Sequence, residues 1–125
     1  MKQPATTVER ARELQERAKK FALRIIRAFS ALPKTEEARV LGRQFLRSGT
    51  SVAANYRAAC RARSAADFIS KISVVAEEAD ETLFWLELIV EAELEGRRKV
   101  EPLMIECDEP LRIFSAALAS AKRNR

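Results

Sequence analysis

Apolar residues recur at Ala11, Leu14, Ala18, Phe21, Ile25, Ala28 and Leu32, in alternating steps of three and four. That spacing gathers them into one stripe along a helix. Thr6 and Glu9 have capping-box spacing at its start, and Pro33 disfavours helix at Leu32. A first helix is therefore predicted over residues 7–31. Thr35 is a plausible N-cap for a second, over 36–62, with Glu36 and Glu37 suited to the positive helix start. Leu41, Phe45, Val52 and Tyr56 are its inward residues. Its middle reads Ser48-Gly49-Thr50-Ser51, small residues that permit close helix approach or mark a kink. Gly49 costs up to ~1 kcal/mol against Ala there.

A third helix, over 65–94, opens at Ser64 with Asp67 as approximate capping partner, and Gly96 is expected as its C-terminal stop. Its seam is Phe68, Ile72, Val75, Ala79, Leu83, Leu86 and Val90. A fourth, over 100–121, takes Pro102 in its first turn and carries Leu103, Ile105, Leu111, Phe114 and Leu118. Pro110 predicts a kink or break in it, and the basic tail Lys122–Arg125 is expected to fray. Short linkers make one all-α domain of residues 1–125, an antiparallel up-down-up-down four-helix bundle.

From Leu83 to Val90 only Glu87 is polar. A helix apolar nearly all round must be covered on more than one side. Leu83, Phe84, Trp85, Leu88 and Ile89 are accordingly candidate oligomer-interface residues, the alternative being a core held wholly within one chain.

Composition narrows the chemistry. The 125 residues include 3 Gly and 4 Pro, and are 47% apolar and 33% charged, which suits a helical globular chain. No apolar run reaches membrane-spanning length, and no apolar core follows Met1 as in a secretory signal, so neither is expected. Cys60 and Cys107 make no disulfide framework, which points to the reducing cytoplasm. The absence of His removes the commonest general base and metal ligand together. Glu77, Glu78, Asp80, Glu81 and Glu87 could be assembled into a carboxylate metal site, but bundle di-iron sites also use Glu-x-x-His pairs. Ser48, Thr50 and Ser51 lack a base partner, and there is no glycine-rich phosphate loop. Buried or idle thiols, no metal, no cofactor and no catalysis are therefore expected, an enzyme of unrecognised type being the weakest alternative. Asn55 fits a helix-packing hydrogen bond better than a recognition role.

Charge is unevenly spread. Residues 1–63 hold 15 Lys and Arg against 5 Asp and Glu, net +10, and residues 64–125 hold 8 against 13, net −5. The halves can attract each other, within a chain or between copies, and the basic half can meet a polyanion. Arg10, Arg17 and Arg24 repeat every seven residues, with Lys20 and Arg27 beside them. Arg39, Arg43 and Arg47 stand four apart on the second helix, followed by Arg57, Arg61 and Arg63. These eleven are the candidate nucleic-acid-binding residues, since guanidinium suits bidentate phosphate contact. Only Tyr56 is interleaved with them, so stacking on single strands is poorly supported. The competing account sets many of them against the acidic half of a neighbouring subunit.

Four stretches resemble a known family: Phe21-Ala22-Leu23-Arg24-Ile25-Ile26; Gln44 through Asn55, reading QFLRSGTSVAAN; Ala66 through Ile72; and Glu78 through Leu88. They are similar to the small bacterial four-helix-bundle proteins related to the 23S ribosomal RNA intervening-sequence protein, over roughly residues 14–120. Ala58, Tyr56 and Pro110 depart from the family's usual residues. The resemblance implies a ring-shaped homopentamer without known enzymatic activity. Some members are encoded within intervening sequences of 23S ribosomal RNA genes. The chain also resembles the accessory variability proteins of diversity-generating retroelements, basic pentamers that work with a reverse transcriptase and nucleic acid. The expectation is thus a cytoplasmic, non-catalytic homo-oligomer that binds RNA or DNA through a basic face of helices one and two. The alternative is a scaffold for a protein partner, its basic face used in subunit contacts.

Overall fold

The computed structural model describes residues 7–123, which form four helices: α1 (Thr7–Ser30), α2 (Glu36–Cys60), α3 (Ala65–Glu91) and α4 (Arg97–Arg123). Successive helices pack on one another, and α1 meets α4 more sparsely. The Thr6 cap and the side chains of Leu111, Phe114 and Leu118 lie outside the described residues.

The expected caps on α2 and α3 form. The Thr35 hydroxyl accepts from the Ala38 amide at 3.3 Å, and the Ser64 hydroxyl from the Asp67 amide at 3.0 Å. Asp67 reaches back to the Arg63 amide at 3.1 Å. Both halves of this exchange satisfy helix-start amides that have no partner within the helix.

The end of α3 differs from expectation. It stops at Glu91, and the residue in the left-handed region is Glu93 (φ 59°), not Gly96. The Glu93 amide donates to the Val90 carbonyl and the Leu94 amide to the Ile89 carbonyl, which completes a Schellman closure. Leu94 packs on the core in the same turn. Burying Leu94 and capping two carbonyls outweigh the ~1–2 kcal/mol that a Cβ costs in this conformation. Gly96 instead precedes α4, where its carbonyl accepts from the Lys99 amide.

α4 therefore begins three residues earlier than expected, which makes Pro102 interior. Nor does Pro110 break it: the helix continues to Arg123. Pro110 is buried against α1, which offsets the lost backbone bond.

The core runs between the helices. Phe21 and Ile25 of α1, Phe45, Val52 and Tyr56 of α2, Ile72, Val75, Ala79, Leu86 and Ile89 of α3, and Val100, Leu103 and Cys107 of α4 are all buried. Each large aliphatic or aromatic side chain among them contributes about 1.5–3 kcal/mol. Gly49 permits the α1–α2 approach: a Cβ there would lie 2.8 Å from Ile25 side-chain carbons. The close-approach reading of this small-residue stretch holds, and α2 stays helical through it.

Candidate nucleic-acid interface

The outer face of α2 carries its arginines because its core-facing stripe is Ala38, Phe45, Val52, Tyr56 and Ala59. Arg39, Arg43, Arg57 and Arg61 are exposed. Arg39 and Arg57 are 18 residues apart, as are Arg43 and Arg61. Eighteen residues make about five turns, so each pair lines up along the helix with a separation of about 27 Å. None of the four forms an ion pair among the described residues. Arg63, in the α2–α3 turn, is likewise exposed.

Arg47 stands apart from that row. Its guanidinium donates to Glu81, and to Glu78 at 3.4 Å, both on α3. The hydrogen bond with Glu81 is the main reason that the Arg47 pKa is raised and the Glu81 pKa lowered. Glu81 also accepts from the Trp85 indole N–H at 3.2 Å. One carboxylate thus ties the α2 arginine to the α3 tryptophan.

The heptad arginines of α1 meet acids too. Arg17 pairs with Glu109 at 2.5 Å and Arg24 with Glu106, both on α4. Attraction between the basic and acidic halves therefore operates within the chain. Each such pair is partly exposed and stabilises by about 1 kcal/mol at most. Arg10, Lys20 and Arg27 are exposed and carry no ion pair among the described residues. Arg17, Arg24 and Arg27 border α4, whereas Arg57 of α2 lines a groove with Glu16 and Lys19 of α1.

Of the five expected interface residues, Phe84 is 50% exposed and Leu83, Trp85 and Leu88 are half-buried, while Ile89 is 1% exposed and belongs to this chain's own core. The reason is angular: Ile89 lies three residues beyond Leu86, on the inward stripe. Phe84 and Trp85 meet edge to face, with centroids 5.1 Å apart. Sequence reasoning missed Val40, which is 57% exposed. Its signal is an apolar residue between Arg39 and Leu41, one position off the inward row.

The other residues singled out have ordinary roles. Ser48 and Thr82 bond across the α2–α3 seam, and the Thr50 hydroxyl donates back to the Leu46 carbonyl within α2. Asn55 donates to the Ser51 carbonyl and hydroxyl, both at 2.9 Å, so its bond lies within α2 and not between helices. Cys107 is buried and its thiol pKa is pushed up to about 12 by desolvation. Cys60 is half-buried, and burial raises its pKa too. Glu78 and Glu81 turn to Arg47, and no acidic or thiol cluster among the described residues is arranged to hold a metal ion. No described helix is long and apolar enough to cross a membrane.

The 23S rRNA-intervening sequence protein family matches residues 10–116. The chain belongs to that family. Among solved structures, a member of the S23 ribosomal protein family from Bacteroides thetaiotaomicron, of unknown function, is 35% identical. It superposes with a TM-score of 0.74, over 82% of this chain and 95% of the other. No curated protein matches. The 23S rRNA-intervening sequence family match takes in α2, α3 and the arginine rows entirely.

Proposed function

We propose that this protein is a non-catalytic, homo-oligomeric four-helix bundle that binds nucleic acid, RNA foremost, in the cytoplasm. The observation that carries this reading is the exposed row of Arg39, Arg43 and Arg57 on α2 and Arg61 at its C-cap, none of which is ion-paired among the described residues. Such a row suits phosphates spaced along a backbone and reads no sequence. Arg47, Arg17 and Arg24 are committed to carboxylates and are secondary in it.

Antiparallel topology is supported by the order of the contacts. Along α1, Ala11 meets Cys60, Ile25 meets Gly49, and Phe29 meets Gly42, so partners descend along α2 as α1 ascends. Arg17 and Arg24 likewise meet Glu109 and then Glu106. Assembly, most simply the pentameric ring of the family resemblance, is supported by exposed Phe84 in edge contact with half-buried Trp85 and by half-buried Leu88 one turn on. A ring repeats each arginine row and multiplies its avidity.

The test is fluorescence anisotropy with labelled RNA and duplex DNA across a salt series. Affinity should fall steeply with salt, and Arg57→Glu with Arg61→Glu should weaken it at unchanged helicity and oligomeric state. No binding at low salt would sink the proposal and favour the second reading, a scaffold for a protein partner, with the basic face used in subunit contacts. Dissociation of the oligomer by the double charge reversal would instead assign those arginines to subunit contacts.

A further inference from the structure

The sparse contact between α1 and α4 leaves a cavity of about 320 Å³ at the end of the bundle where α1 finishes and α4 begins. Its size lies at the lower end of the range for small-molecule sites, about 300–1,000 Å³. The floor is apolar: Leu32, Phe45, Leu86 and Ile89, each at most 7% exposed. The gap exists because Ala28 on α1, Ala31 in the turn after it and Pro102 on α4 are too short to fill it.

The rim has a sign. Arg24, Arg27 and Lys99 border the cavity, against one acid, Glu95. Glu95 is already engaged by the Gly96 amide at 2.9 Å and by Lys99 at 3.8 Å. Arg27 has no ion pair among the described residues. Arg24 gives one nitrogen to Glu106, while its Nε is buried without a hydrogen-bond partner among the described residues. A buried N–H on a cation, unpaired beside an apolar cavity, calls for an acceptor, because leaving it unmade costs more than an ordinary bond gains.

We propose that this cavity binds a small aliphatic carboxylate, with its chain along Ala28, Ala31 and Pro102, the apolar lining residues open to it, and its carboxylate at the Arg24, Arg27 and Lys99 rim. An uncharged apolar ligand would leave the rim unanswered. A larger polyanion would not enter a space of this size. The site uses none of the outward α2 arginines, so it stands or falls independently of nucleic-acid binding.

Octanoate serves as probe, followed by calorimetry and by amide NMR shifts, with octanol and octylammonium as controls of equal chain length. Octanoate should bind saturably, one per chain, with shifts centred on residues 24–32 and 99–103. The alcohol and the amine should bind about tenfold more weakly or worse. Arg27→Gln with Lys99→Gln should cost octanoate about tenfold while leaving octanol unchanged. Ala31→Leu, a change at an exposed position, should abolish binding by filling the space, with helicity and Tm retained. No saturable binding at millimolar octanoate would overturn the proposal. So would equal affinity for octylammonium, or insensitivity to both the Ala31 and the Arg27/Lys99 substitutions.

Discussion

The hydroxyls of Ser48 on α2 and Thr82 on α3 lie 2.8 Å apart, and both residues are fully buried. Thr82 also reaches the Glu78 carbonyl at 2.7 Å, while Ser48 lies 3.4 Å from the Phe45 carbonyl. A polar pair in a helix seam is tolerated because each hydroxyl answers the other. Thr82→Val should destabilise by about 1–2 kcal/mol, since Ser48 is then left with only the poorer bond. Adding Ser48→Ala should cost less than the sum of the single changes. Urea denaturation of the three variants measures this, and strict additivity would mean that the hydroxyls do not interact.

The residue after Ser48, Gly49, lets α1 approach α2 closely. Gly49→Ala should destabilise by about 1–3 kcal/mol despite the better helix propensity of Ala, because the Cβ meets Ile25 at 2.8 Å. Trimming the neighbour with Ile25→Val should recover part of that loss. Thermal unfolding of the single and double variants checks the rescue.

Glu93 is a non-glycine residue with φ 59°. Glu93→Gly should raise stability by about 1 kcal/mol, because the Schellman hydrogen bonds use backbone atoms that Gly retains. A lower Tm in that variant would show that the Glu93 side chain has a role of its own.

Two groups predict loss of stability in alkali. The Tyr56 hydroxyl and the Cys107 thiol are both raised to about 12 by desolvation, from ordinary values of 10.0 and 9.0. The unfolded chain therefore loses protons that the folded chain keeps, and stability falls as pH rises from about 9 towards 12. Tyr56→Phe should flatten part of that decline above pH 10. The Tyr56 hydroxyl has no hydrogen-bond partner among the described residues, so the change should cost under about 1 kcal/mol at neutral pH. Urea titrations at a series of pH values measure both effects.

In acid the sign reverses. Glu81 is held below its ordinary value of 4.5, chiefly by the Arg47 hydrogen bond. The stabilisation it brings is present above that value and is lost as pH falls through the lowered one. Glu81→Gln should make stability less dependent on pH below about 4.5 and shift Trp85 fluorescence, because the same carboxylate accepts the indole N–H.

Local pattern determined most of the secondary structure. The three-and-four spacing of apolar residues marked four helices, and Thr35 and Ser64 marked two of their starts, because amphipathic periodicity and capping act over a few residues. Phe45, Val52, Tyr56, Ile72, Val75, Ala79 and Leu86 were legible as inward for the same reason. The family was legible too, in the residue strings of α1, α2 and α3. Tertiary structure alone decided the rest. Burial of Leu94 placed the left-handed residue at Glu93, a position whose side chain gives no hint of it. Packing kept α4 helical through Pro110, against the local preference. Acids more than thirty residues away claimed Arg17, Arg24 and Arg47 but left Arg39, Arg43, Arg57 and Arg61 open. The cavity between α1 and α4 is set by how far the end of one helix stands from the start of another some seventy residues later, which no spacing along the sequence encodes.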